Sequence, residues 1–157
     1  MPTPVPADSS GAHCVAAPDG TPYLAVGLLA PLSQEQTWPR AIALQAGASI
    51  ALEELNSAGG LLGRPLRLIS FDTQGDPELA ALLAEQLIVA ECVFGVIGGI
   101  GGDAAPIAAV TERYGVPFLV AETPDDSLTA SRPAALFRIG PTTTQIEEMT
   151  PHWLAEV

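Results

Sequence analysis

Residues 47–88 read GASIALEELNSAGGLLGRPLRLISFDTQGDPELAALLAEQLI, and three structural elements follow from this one stretch. A helix is predicted from about Arg40 to Ala58. Leu44, Ala48, Ala51 and Leu55 recur at helical spacing on one face, and Gly59-Gly60 stops the run. LRLISFD, 66–72, is a strand. Asp76 followed by Pro77 is an N-cap and first-turn signal for a second helix, which runs to about Ala90 with Leu79, Leu82, Leu83 and Leu87 as its buried stripe.

The same alternation continues on both sides. Upstream, YLAVGLLA at 23–30 is a continuous apolar run, as a strand buried on both faces requires. It ends in the polar loop PLSQEQTWPR. Downstream, VFGVIG at 93–98 is a third strand, GIGGD a tight glycine loop, and AAPIAAVTERYG a helix closed by Gly115. A fourth strand at 117–121 leads into the acidic turn TPDDS. A short fifth strand at 135–139 leads into TTTQIEEMTPHWLAEV, which Pro151 interrupts or restarts. Strands alternating with helices mean parallel strands joined by right-handed crossovers. The expected fold is therefore α/β, a Rossmann-like lobe with a mostly parallel sheet and helices on both faces. Ligands on such sheets bind at the carboxyl ends of the strands, which points to the loops at 31–40, 98–103 and 121–126.

Composition narrows the function. The 157 residues are 48% hydrophobic but only 5% aromatic, so Ala, Val, Leu and Ile build the core. Eighteen acids against six bases, all arginine, give a net charge of -12, which repels nucleic acid and anionic lipid. No stretch is long and apolar enough for direct membrane insertion. Residues 1–20, with four prolines and a Ser9-Ser10-Gly11 run, are expected to be a disordered tail without the features of a signal peptide. His13 and His152 stand at opposite ends, so no metal-ligand spacing exists. Cys14 lies in the tail and Cys92 between a helix and a strand. Their spacing does not argue for a disulfide, and Cys92 reads as a small buried residue.

The third unit carries the sharpest motif. Gly99-Ile100-Gly101-Gly102-Asp103-Ala104 fits G-x-G-x-x-A after a strand, and Glu122 stands where a ribose-binding acid would. This is one reading, a dinucleotide-binding enzyme domain. A second is a carboxylate-type loop, since backbone N–H groups at a helix N-terminus bind any anion. A third is a bare structural turn. Nucleophilic catalysis finds no G-x-S-x-G and no histidine near Ser33 in sequence. Asp72, Asp76, Asp103 and Glu122 fall near strand ends, with Asp76 and Asp103 read as helix caps.

Taken together, the 47–88 segment, VGLLAPLS, VFGVIGG, GVPFLVAET and LFRIGPTTTQ resemble, in order and spacing, the type I periplasmic solute-binding proteins, the branch that binds leucine, isoleucine and valine. The resemblance covers 23 to about 155. It implies a non-enzymatic protein without cofactor. Its two lobes close on a small-molecule solute, an amino acid or similar, and hand it to an ABC transporter permease from a periplasmic or extracellular location. It also implies the ligand-binding residues Leu32, Ser33 and Trp38, then Ile100, Gly101, Gly102 and Asp103, then Glu122 and Thr123. A sensor domain of the same fold is the alternative role. Residues 21–140 correspond to the first lobe and 141–157 to the first helix of the second, the rest of which is essentially absent, as in a fragment or truncated product. Two departures stand out. The third loop is usually serine-rich, and the fourth usually reads small residue then threonine. Here Asp103 and Glu122 bring acids instead, which favours a solute group carrying positive charge unless Glu122 pairs with Arg40 or another local arginine.

Overall fold

The computed structural model describes residues 23–131 and 133–154, so the expectation for the 1–20 tail lies outside the described residues. Five strands, β1 (Leu24–Ala30), β2 (Leu66–Asp72), β3 (Gly95–Ile100), β4 (Phe118–Glu122) and β5 (Leu136–Arg138), form one sheet in the order β2-β1-β3-β4-β5. Every pairing is parallel. The strand order reverses beside β1, so the crevice between the ends of β1 and β3 is the switch point at which such sheets bind ligands.

Both faces of β1 are covered, which explains its unbroken apolar run. Ala25 and Leu29 pack with Leu87, Ile107, Phe118 and Val120, beneath helices α2 (Pro77–Val89) and α3 (Ala104–Tyr114). Val26, Leu28 and Ala30 face the other way, toward α1 (Trp38–Ser57). Gly27 leaves room for α2: a Cβ there would stand 2.7 Å from Leu87 Cδ1.

The helix ends follow their capping chemistry. Asp76 Oδ1 accepts from the amides of Glu78 (2.8 Å) and Leu79 (3.3 Å), with Pro77 next to it as expected. Gly115, at φ 68°, closes α3 in the left-handed conformation. Near the end of α1, Asn56 makes two bonds to the backbone of Leu66, Nδ2 to the carbonyl at 2.8 Å and Oδ1 from the amide at 2.7 Å. That amide joins α1 to the first residue of β2.

Several expectations move. The buried face of α1 is Ala41, Ala48 and Leu52, whereas Ala51 and Leu55 are exposed. Ala48 and Leu44 pack as expected, but an alanine-rich helix offers little contrast between its faces, and the next turn buries Leu52 in place of Ala51. On α2 the buried residues are Ala80, Ala84 and Leu87, and Leu82 is turned to solvent. Strand β3 extends to Ile100 and β4 to Glu122, because their glycine-rich and acidic ends stay in register across Ile100↔Glu122. A short helix α4 (Ser127–Ala130) follows β4. Helix α5 (Thr143–Leu154) runs through Pro151 without interruption. Thr142 and Gln145 cap its start by exchanging amide bonds of 2.9 and 3.2 Å.

Helix α1 covers only part of its face of the sheet. Beside it, toward the amino ends of the strands, lies an open cavity of about 250 Å³ lined by Leu52, Leu55, Leu66, Phe94, Leu119 and Phe137 among others.

Leu87 is fully buried against Gly27, whereas Gly47 lies mid-helix with open space where a Cβ would stand. Leu87→Ala is expected to cost about 2–5 kcal/mol. Gly47→Ala is expected to add about 0.5–1 kcal/mol by restricting the unfolded chain and favouring helix. Urea denaturation of both variants measures the two signs.

Candidate functional site

The carboxyl ends of β1, β3 and β4 meet at one rim, and the backbone there is organised by carboxylates from below. Asp72, the last residue of β2, accepts at Oδ1 from the amides of Leu32 (2.8 Å), Ser33 (3.3 Å) and Gln74 (2.9 Å). Partial burial raises its pKa, but the hydroxyl of Ser33 and these amides outweigh that and hold the carboxyl below its usual range. The loop after β1 is thereby tied to the end of β2.

After β3 the chain makes one 3-10 turn, Gly101–Asp103, before α3 begins. Gly101 has φ 67°, a conformation that favours glycine, and no atom lies within 4 Å of a Cβ built at Gly101 or Gly102. Both are exposed. Their amides precede α3, where the positive end of the helix dipole favours an anion.

Asp103 is not on the rim surface. It is 1% exposed and accepts a hydrogen bond from the hydroxyl of Thr73, itself fully buried. Nor does its side chain cap α3. Both readings of Asp103 from the sequence, solute ligand and cap, give way to an internal tie between the loops after β2 and β3. Burial pushes its pKa up, the Thr73 hydroxyl opposes this, and the like charges of Asp76 and Asp72 add to the rise.

The remaining residues named from the sequence fall together. Leu32 and Ser33 follow β1, Gly101 and Gly102 follow β3, and Glu122 ends β4 with Thr123 next to it. Ile100 is buried against Leu28, Ala30 and Ala41, so it presents backbone rather than side chain. Trp38 opens α1 and is 51% exposed. Glu122 Oε1 accepts from Arg40 Nη1 at 2.7 Å, the pairing weighed as the alternative to a solute contact. Thr123 is buried, and its carbonyl accepts from Arg138, which also bonds the carbonyl of Asp125. Beyond it, Asp125 is held below its usual range first by the Ser127 hydroxyl, and Asp126 first by the Thr142 hydroxyl. Thr73 carried no sequence signal, since a single threonine after a strand looks like any loop residue. Among the described residues, no group of three or more His, Cys, Asp or Glu is placed to hold a metal ion.

Comparison with known proteins agrees with this architecture. A family profile described as periplasmic binding protein matches residues 24–156, running through the Gly99–Ala104 pattern. An amino acid binding protein of Pseudomonas aeruginosa is 26% identical over 94 residues, 59% of this chain and 25% of that protein. Among solved structures, the branched-chain amino acid transporter substrate-binding protein LivJ from Streptococcus pneumoniae, in complex with isoleucine, is similar at a TM-score of 0.71. It is 26% identical, covering 76% of this chain and 34% of its own. An ABC transporter substrate-binding protein from Desulfitobacterium hafniense in complex with Leu gives a TM-score of 0.75 at 24% identity, covering 85% of this chain and 39% of its own. The chain thus spans little more than a third of these solved structures and a quarter of the curated relative.

Asp103 makes a signed pH prediction. Its pKa is raised on folding, so its contribution to stability is fully present below its unfolded value of about 3.8 and is lost as pH rises through the folded pKa. Asp103→Asn keeps an acceptor for Thr73 and removes the charge. Its melting temperature is expected to exceed that of the wild type near pH 7, with the gap closing toward pH 4. A gap independent of pH would show that the buried charge is not the cause.

Proposed function

Because the chain belongs to the periplasmic binding protein family, we propose that it captures a small polar solute, an amino acid or close relative, at the rim formed by β1, β3 and β4. In this reading residues 21–140 are the first of two lobes and 141–157 open the second. The solute is passed to an ABC transporter permease outside the cytoplasm. The observation that carries the reading is the open pair of glycines, Gly101 and Gly102, at the switch point of the sheet. A Cβ at either position would meet open space, and the residues at the ends of the neighbouring strands, Leu32 and Ser33 after β1 and Glu122 and Thr123 at β4, flank them.

The apolar cavity beside α1 makes a poor rival, because a polar solute needs groups that orient it and only apolar side chains and glycine line that cavity. The rim supplies amides, a hydroxyl and charges within one loop cluster. The first turn of helix α5, which in this reading opens the second lobe, is fastened to this rim. The amide of Thr143 donates to the Pro124 carbonyl at 2.7 Å and that of Thr144 to Asp126 Oδ2 at 3.1 Å. One lobe leaves one side of the solute in water, so the chain alone is expected to bind weakly, with dissociation constants in roughly the millimolar range.

The test is a titration of the ¹⁵N-labelled chain with the twenty L-amino acids and, separately, with NAD. Amino acids are expected to move the amide signals of Ser33, Gly101, Gly102 and Thr123 before any others. Shifts confined to residues such as Leu55 and Phe94 would place binding in the apolar cavity. A response to NAD alone would move the reading to a dinucleotide site.

A further inference from the structure

We infer that Arg40 and Glu122 form the recognition pair of this rim. The guanidinium takes the carboxylate and the carboxylate takes the ammonium of a zwitterionic solute, and the ion pair between them opens on binding. The inference rests on the proposed solute site and assigns its specificity.

The pair stands where the solute would. In the sheet β3 lies between β1 and β4. Arg40 sits in the first turn of α1, the helix that follows β1, and Glu122 is the last residue of β4. A 2.7 Å bond between them therefore reaches from the β1 side of β3 to its β4 side, at the end of the strand that leads into Gly101 and Gly102. Glu122 is in register with Ile100, one residue before those glycines.

The backbones of both residues are fixed, by α1 and by the β3–β4 ladder, while their side chains stay accessible at 54% and 46%. An ion pair this exposed contributes little to stability, so opening it is cheap. The remaining guanidinium N–H groups and the second oxygen of Glu122 make no protein hydrogen bond in the described structure. They are available to a solute, and guanidinium geometry suits a carboxylate.

The charge balance selects a zwitterion over a cation. From sequence the rim gains two acids, Asp103 and Glu122, and favours positive charge. In the structure Asp103 is withdrawn into the interior, bonded to Thr73. Asp72 and Asp76 are occupied by local amides, and Asp126 by the amide of Thr144. Asp125 is likewise occupied by the amide of Ser127, and Glu35, exposed on the loop after β1, forms no ion pair among the described residues. The opposite charges held together across β3 are those of Arg40 and Glu122, 2.7 Å apart. A lone cation would leave Arg40 opposed, and a lone anion would leave Glu122 opposed.

The experiment compares wild type, Arg40→Gln and Glu122→Gln by the same amide titration. It uses the tightest-binding L-amino acid from the set of twenty, its deaminated acid and its decarboxylated amine. Each variant is expected to weaken amino-acid binding tenfold or more, with the ligand-free melting temperature nearly unchanged. The acid and the amine should each bind wild type at least tenfold more weakly than the amino acid. Unchanged affinity in either variant, with Gly101 and Gly102 still responding, overturns the recognition pair and leaves the solute site standing. So does a fall in melting temperature with affinity intact, which marks a structural pair. Equal binding of the acid or the amine overturns the zwitterion. No response to any amino acid overturns both the pair and the solute site beneath it.

Discussion

A Cβ built at Gly98 would stand 2.2 Å from the carbonyl oxygen of Leu29, its partner in register on β1. The two central strands come together at this point only because position 98 has no side chain. The adjacency of β1 and β3 is what creates the reversal of strand order, and the reversal is what parts the exit loops into a crevice. The helices on either face then follow from the side chains that alternate along β1. Those facing α2 and α3 are capped by Leu87 and Ile107, and those facing α1 by its alanines.

On that frame, environment rather than residue type decides what each acid does. Asp72, half-buried among amides and a hydroxyl, is stabilised as a carboxylate and fixes two loops. Asp76, exposed at a helix start, is a cap. Asp103, fully enclosed with one hydroxyl partner and two negative neighbours, is the acid the fold holds least comfortably, yet it joins the loops on either side of the crevice. Glu122, exposed at the end of β4, has a single arginine for company. Four carboxylates within a few residues of strand ends thus have four different roles.

The fold was legible because its signals are local. Continuous apolar runs mark strands buried on both faces, and Asp-Pro and Gly-Gly mark helix limits whatever the tertiary context. The face of α1 was not legible, since Ala41, Ala48 and Ala51 look alike until the sheet chooses among them. The ends of β3 and β4 were placed early because glycine and glutamate read as loop, whereas the ladder carries them two and one residues further. At the rim, loop positions could be read from topology, but the fates of Asp103 and Glu122 depended on Thr73 and Arg40, 30 and 82 residues away in sequence. Burial and long-range pairing of single side chains leave no periodic trace.

The loop after β4 is tied down by two elements that follow it. Arg138 at the end of β5 bonds the carbonyls of Thr123 and Asp125. Just after it, the first turn of α5 holds the carbonyl of Pro124 through both the amide and the hydroxyl of Thr143, and Asp126 through the amide of Thr144. Four consecutive residues, 123–126, are therefore anchored by two consecutive elements, β5 and α5. Glu122, immediately before them, has a fixed backbone and an exposed side chain paired with Arg40, which stands likewise at the start of α1. Specificity between solutes of similar size depends on where charges are held when no solute is present, since a group that must first be ordered loses part of what it gains. At the proposed site, anchored backbones beneath the exposed Arg40 and Glu122 keep that loss to the last few bonds of two side chains.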